Sequence, residues 1–182
     1  MANDTGSVGF SAAEVLEITA QRQPQKTAII AKDEQLTFGA LNQRVRSLAV
    51  HLQREGLRQG DRIGLLLPNS MAIPLSYFAT QKIGAVTVIL DARLKGKELQ
   101  GVLQDADLKL LIVHAQLYSE EVFKTAAPIP VWIVNGGDER GFEKRFEAPS
   151  ATLSSTNFRA EDDALILYTS GTTGEPKGVI LS

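Results

Sequence analysis

The sequence lacks several features that would define a class of protein at once. It contains no cysteine, which excludes a disulfide framework and thiolate chemistry. Its only histidines are His51 and His114, and neither has a second histidine at ligand spacing, so we predict no metal site and no catalytic role for them. A formal net charge of −2 gives no electrostatic support for binding nucleic acid.

Long apolar segments are also missing. No run approaches the roughly 18 apolar residues of a membrane span. Residues 1–9 are small and polar and lack the apolar core of a signal peptide. These features predict a protein without a membrane span, and the cytoplasm is the default location.

What the sequence does contain is an alternation of apolar runs and amphipathic stretches over 182 residues, of which 43% are hydrophobic and 22% charged. Continuous apolar strands between helices are typical of a parallel sheet covered on both faces. We therefore predict an α/β fold, with a mostly parallel sheet and helices on both faces. The length and composition suit one globular domain, expected over residues 11–182 after a flexible N-terminus at residues 1–10.

Local signals place most of the elements. Ser11 and Glu14 form a capping-box pattern, and Thr37 precedes the clearest helical periodicity in the chain. Ser70 is predicted to cap a further helix. Residues 140–146 are expected to form a surface turn anchored by two phenylalanine rings. Strands are predicted at residues 27–31, 35–37, 63–67, 85–90, 109–113, 131–134 and 164–168.

The most informative stretch is the loop after the last of these strands, which reads Thr-Ser-Gly-Thr-Thr-Gly-Glu-Pro-Lys-Gly over residues 169–178. Glycines let backbone N–H groups converge on an anion, and four hydroxyl residues can add donors. Lys177 adds a positive charge at the exit of the loop. This chemistry suits a polyphosphate, although a flexible linker has a similar composition.

The loop is not a Walker A motif. That pattern requires a serine or threonine directly after its lysine, whereas Pro176 precedes Lys177 and Gly178 follows it. A compact NTPase of another kind is left as a minor alternative, and formation of ADP would support it.

The string from Tyr168 to Val179 resembles the phosphate loop of the adenylate-forming superfamily, which includes AMP-forming acyl- and aryl-CoA synthetases, luciferase-like enzymes and peptide-synthetase adenylation domains. Weaker similarities to the same superfamily lie earlier in the chain, at residues 36–38, 60–70 and 82–86, and their order and spacing agree with the family. The turn at residues 67–70 and Arg93 favour the CoA ligases. A peptide-synthetase-type adenylation domain and a non-catalytic binding or interaction module are the alternatives.

The resemblance implies a reaction in two steps. A carboxylate attacks the α-phosphorus of ATP to give an acyl-adenylate and pyrophosphate, and a thiol, often that of CoA, then takes the acyl group. The residues that match the phosphate loop are Thr169, Ser170, Gly171, Thr172, Thr173, Gly174 and Lys177. No catalytic residue and no metal ligand is assigned in this chain.

Members of the superfamily run far beyond Ser182, and the resemblance places the acyl pocket, the adenine and ribose motifs, the acidic Mg²⁺ ligand and a catalytic lysine in that remainder. We therefore expect the chain to be the N-terminal piece of an AMP-forming acyl-CoA synthetase, incomplete as a fold and inactive alone. Its expected affinity for ATP is about millimolar or weaker, which corresponds to roughly −4 kcal/mol.

Overall fold

The computed structural model describes residues 11–32, 34–147, 153–154, 156, 159–169 and 177–182, with only the backbone of residues 121, 123, 125 and 169. The N-terminal segment 1–10, predicted to be flexible, lies outside these residues. In chain order the elements are α1 (Ala12–Arg22), β1 (Thr27–Ala31), β2 (Glu34–Thr37), α2 (Phe38–Arg54), β3 (Arg62–Leu66), α3 (Ala72–Lys82), β4 (Val86–Leu90), α4 (Gly96–Asp105), β5 (Leu108–His114), α5 (Glu120–Ala126), β6 (Val131–Val134), a 3-10 helix (Phe142–Phe146), β7 (Leu165–Thr169) and β8 (Lys177–Leu181).

Two of the helix starts form as their sequence signals predict. The Ser11 hydroxyl accepts a hydrogen bond from the Glu14 N–H, and the Glu14 carboxylate accepts one from the Ser11 N–H at 2.7 Å. Thr37 accepts from the Ala40 N–H at 3.3 Å. Each cap satisfies N–H groups that have no partner inside their helix.

The predicted cap at Ser70 is wrong. The cap position of α3 is Met71, which makes no side-chain cap bond, and the helix begins at Ala72. Met71 and Ala72 are both buried, so packing of the first turn fixes where this helix starts. The Ser70 hydroxyl is buried and has no hydrogen-bond partner among the described residues.

Six strands form the main sheet, in the spatial order β6-β5-β3-β4-β7-β8. The first five are parallel to one another, and β8 runs antiparallel to β7 at one edge. Strands β1 and β2 form a separate antiparallel pair. The prediction of a mostly parallel sheet is therefore confirmed.

Helices cover both faces of this sheet because side chains alternate along its strands. Ile63 and Leu65 of β3 belong to an apolar layer with α1, α2, α3 and the 3-10 helix. Leu66, the next residue, belongs to the opposite layer, which contains α4 and α5. The prediction of helices on both faces is confirmed.

The segment predicted as a surface turn is the 3-10 helix. Phe142 is fully buried, and its ring contacts that of Phe146 edge to face at 5.4 Å between centroids. The Arg145 guanidinium lies 4.2 Å from the centroid of the buried Trp132 ring. Both phenylalanine rings anchor the segment, as predicted, but Phe142 is part of the core.

Candidate functional site: the carboxyl edge of the sheet

The predicted phosphate loop connects β7 to β8. Strand β7 is parallel to β4, so it ends at the carboxyl edge of the parallel strands, and β8 begins there. Thr169 and Lys177 are a cross-strand pair. Ligands of open α/β sheets bind outside the carboxyl ends of the strands, so the position suits the predicted chemistry.

Of the predicted site residues, the structure brings together Thr169 and Lys177, which are the two ends of the loop. The others lie at positions outside the described residues, namely Ser170, Gly171, Thr172, Thr173 and Gly174. Their assignment to phosphate binding stays a prediction.

Lys177 is the positively charged residue of the loop, and it lies within the part of the chain that the structure describes. Its side chain is exposed, and none of the carboxylates in the described ranges forms an ion pair with it. An exposed ammonium group can form charge-assisted hydrogen bonds with an anionic ligand. The charge of Lys177 and its position at the carboxyl edge are compatible with the predicted binding of a polyphosphate.

Tyr168 precedes the loop and makes a contact that sequence reasoning missed. Its hydroxyl donates a hydrogen bond to the Asp105 carboxylate, with 2.6 Å between Oη and Oδ2. Asp105 is the last residue of α4, so the bond joins β7 to a helix. Burial of the ring is the largest cause that raises the pKa of the Tyr168 phenol from 10.0 to about 12, and Asp105 adds to it while the Arg62 charge opposes it. The phenol is therefore a hydrogen-bond donor at neutral pH.

Gly178 faces Tyr168 across the hairpin. A β-carbon at Gly178 would lie 3.3 Å from Cζ of Tyr168 and 3.1 Å from Cγ2 of Ile166. A glycine inside a strand costs roughly 0.5–1 kcal/mol relative to alanine, so its presence calls for a packing reason. That reason is the close approach of the Ile166 side chain and the Tyr168 ring, one of which would have to shift to admit a β-carbon. A glycine directly opposite an aromatic residue is the sequence signal for this contact.

The loop after β4 borders the same edge and contains an ion pair. Arg93 donates from Nε to Oδ1 of Asp91 at 3.0 Å and from Nη2 to Oδ2 at 2.6 Å. These hydrogen bonds lower the pKa of the Asp91 carboxyl to about 2. Asp91 thus partly neutralises the arginine next to the predicted phosphate site.

His114, at the end of β5, is held by its neighbours. Its Nδ1 accepts from the Gln116 N–H at 3.2 Å, and its Nε2 lies 3.1 Å from Nδ2 of Asn135. Asn135 has a φ of 57° and its N–H donates to Glu143. These contacts tie β5, β6 and the 3-10 helix together, which is a structural role.

A cavity of about 300 Å³ lies at the opposite, amino edge of the sheet. Its lining includes Gln81, Arg159, Asp162 and Ala164. The Gln81 amide donates to the Ala164 carbonyl at 2.8 Å, so this polar group is already satisfied. The cavity is separate from the loop, because Ala164 precedes β7 and the loop follows it.

Among the described helices, none combines the length and apolar character needed to cross a bilayer. In the same ranges, histidine and acidic side chains do not gather in groups of three or more that could hold a metal ion.

The sequence matches the family described as AMP-binding enzyme over residues 16–182, which is most of the chain. The chain belongs to the AMP-binding enzyme family. Within it, the chain is 29% identical over 189 residues to a medium/long-chain-fatty-acid–CoA/3-oxocholest-4-en-26-oate–CoA ligase of Mycobacterium marinum. It is 33% identical over 160 residues to a 2-succinylbenzoate–CoA ligase of Bacillus mycoides.

These alignments cover 96% and 87% of the chain but only 34% and 30% of the two relatives. The chain therefore spans about one third of the length of the curated relatives that it matches.

Solved structures of the family have the same fold. A long-chain-fatty-acid–CoA ligase from Archaeoglobus fulgidus matches with a TM-score of 0.83 and 30% identity, over 94% of the chain and 36% of that protein. An anthranilate–CoA ligase solved with anthranoyl-AMP also matches with a TM-score of 0.83, at 28% identity, over 94% of the chain and 33% of that protein. The expected family and fold are thus confirmed.

Proposed function

We propose that the segment 169–177 binds the β- and γ-phosphates of ATP within an AMP-forming carboxylate–CoA ligase. The pairing of Thr169 with Lys177 at the carboxyl edge carries this proposal, because it joins the ends of a loop rich in glycine and hydroxyl residues beside an exposed ammonium group. The named relatives are CoA ligases, and one was solved with an acyl-adenylate, which supports the same class of reaction.

In the proposed reaction, a carboxylate oxygen attacks the α-phosphorus of ATP and pyrophosphate leaves. An acyl-adenylate forms, and the CoA thiol then displaces AMP to give the thioester. Negative charge grows on the departing pyrophosphate, so donors in the loop and the Lys177 ammonium stabilise the transition state more than the bound substrate. Mg²⁺ would supply further charge neutralisation, and no ligand for it is assigned to this chain.

The chain alone is proposed to bind ATP weakly, at about millimolar Kd or above. A charge-assisted hydrogen bond nets roughly 1.5–3 kcal/mol, whereas ordering a free loop costs roughly 1–2 kcal/mol per residue. Several such bonds are therefore offset by the cost of ordering the loop. We propose that residues 1–182 do not catalyse adenylation by themselves.

Two substitutions test the role of the loop in an enzyme that contains this chain. Lys177→Ala is expected to lower the rate of carboxylate-dependent pyrophosphate release by about tenfold to a hundredfold, since one charged contact to the leaving group is worth roughly 1.5–3 kcal/mol. Glu175→Ala is the matched control, because it removes a loop carboxylate that repels phosphate. Equal losses in both variants would show that Lys177 is not a phosphate ligand.

A further inference from the structure

The contact between Tyr168 and Asp105 lies directly before the loop, on the strand that carries it. Its partner, Asp105, ends α4, which packs on the sheet through Leu99, Val102 and Leu103. The hydrogen bond therefore connects the start of the loop to a helix that is fixed by its own buried side chains.

The ring of Tyr168 also contacts the strand that leaves the loop. It lies against Gly178, one residue after Lys177, so close that an added β-carbon would crowd it at 3.3 Å from Cζ. The ring of Tyr168, which belongs to β7, thus contacts β8 and, through its hydroxyl, helix α4. We call Tyr168, Asp105 and Gly178 the tyrosine clasp.

We propose that Tyr168 is a positioning residue for phosphate binding, because the tyrosine clasp holds both ends of the loop in register before any ligand arrives. The inference rests on the proposed function of the loop. A loop whose ends are already fixed has less conformational entropy to lose on binding, and this raises its affinity without a contact between tyrosine and ligand.

The clasp predicts how three variants behave. Tyr168→Phe keeps the ring but removes the donor, and Asp105→Ala removes the acceptor. Both are expected to weaken ATP binding by roughly threefold to tenfold, the value of one hydrogen bond to a charged group reduced by solvent exposure. The double variant is expected to lose no more than either single variant, because both break the same bond.

The measurement is a titration of isotope-labelled residues 1–182 with ATP, followed by the amide shifts of residues 169–178. Tyr118→Phe is the matched control, since it removes a tyrosine hydroxyl that contacts Arg140 near β6, at the far side of the sheet. Leu48→Val is a second control, because it loosens the opposite helix layer without touching α4 or the hydrogen bond. Both controls are expected to bind ATP as the unmodified chain does.

Amide hydrogen exchange without ligand tests the positioning role of Tyr168, whereas the titration with ATP tests phosphate binding by the loop. Exchange at Thr169 and Lys177 is expected to rise in Tyr168→Phe and Asp105→Ala but not in Tyr118→Phe. If the unmodified chain shows no shift at residues 169–178 with ATP well above the expected millimolar Kd, phosphate binding by the loop is wrong. If it binds and Tyr168→Phe binds equally well, only the positioning role is overturned. An equal loss of affinity in Leu48→Val would also overturn it, because general loosening of the fold would then explain the effect.

Discussion

Gly64 lies in the middle of β3, at a point where the sheet leaves no room for a side chain. A β-carbon there would come within 2.5 Å of Cδ1 of Leu108 and 3.2 Å of Cδ1 of Leu111. Both leucines are buried in the layer of α4 and α5. The absence of a side chain at this position therefore allows neighbouring strands and the helix layer to pack closely.

We predict that Gly64→Ala lowers the free energy of unfolding by about 1–3 kcal/mol, the usual cost of overpacking a core. Urea denaturation measures this change. The matched control is Gly101→Ala in α4, where a new β-carbon meets nothing within 4 Å. That control is expected to raise stability by about 0.5–1 kcal/mol, since alanine favours a helix. Equal effects of the two substitutions would contradict the packing argument, because both change the unfolded chain in the same way.

At the level of single residues, sequence signals predicted those features that depend on near neighbours. Ser11 and Thr37 cap their helices because donor and acceptor lie three residues apart. Ser70 fits the same pattern but fails, since burial of Met71 and Ala72 decides where α3 begins. The bond between Tyr168 and Asp105 joins residues that lie far apart in the chain, and no local pattern could predict it.

Among the elements, three helices of one layer meet at a single carboxylate. Glu17 of α1 contacts Nζ of Lys82 on α3 at 2.8 Å and Nη1 of Arg46 on α2 at 3.0 Å. The Lys82 side chain is only 11% exposed, so Glu17 is the partner of a largely buried ammonium group. The hydrogen bond from Lys82 is the largest cause that lowers the pKa of the Glu17 carboxyl below 4.5.

We predict that Glu17→Gln lowers the free energy of unfolding by about 1–2 kcal/mol at neutral pH. Because the pKa of Glu17 is lower in the folded state, its contribution is present above pH 4.5 and is lost as the pH falls through the folded value. Denaturant unfolding at neutral and acidic pH should therefore show a difference that shrinks in acid.

Glu34→Gln is the control for this prediction. Glu34 pairs with Arg44, but its side chain is 51% exposed, so its loss is expected to cost little at either pH. A difference between Glu17→Gln and the unmodified chain that persists unchanged in acid would show that packing, and not charge, explains the loss.

At the scale of the whole molecule, the described residues form two apolar layers on opposite faces of the six-stranded sheet. Trp132, the only tryptophan, is buried in the layer of α1, α2 and α3, while Leu103 is buried in the layer of α4 and α5. Because the strands of the sheet contribute alternate side chains to both layers, loss of one layer removes support from the other.

We predict that Leu103→Ala lowers the midpoint of unfolding seen by Trp132 fluorescence and by far-ultraviolet circular dichroism to the same extent. The expected cost is about 2–5 kcal/mol, as for other buried leucines. Leu48→Ala, in the layer of Trp132, is the matched control and is expected to lower the two unfolding midpoints by equal amounts. A fluorescence transition that stays in place in Leu103→Ala would show that the two layers unfold separately.

At this scale, alternation of apolar strands and helices was enough to predict the fold class and its two helical layers. The resemblance of residues 168–179 predicted the family, which the match over residues 16–182 confirms. Patterns of period two or 3.6 do not specify which strand lies beside which, so the order of the sheet had to come from the structure. These patterns also do not specify the conformation of a loop between paired strands, because many loop conformations can join the same two ends.

The antiparallel course of β8 has a mechanical consequence. A force applied at Ser182 would act on the open end of the hairpin, where Leu181 pairs with Leu165. Strand β8 would separate from β7 one residue pair at a time, from Leu181 towards Lys177. The pairs next to the loop, Tyr168 with Gly178 and Thr169 with Lys177, would be the last to separate.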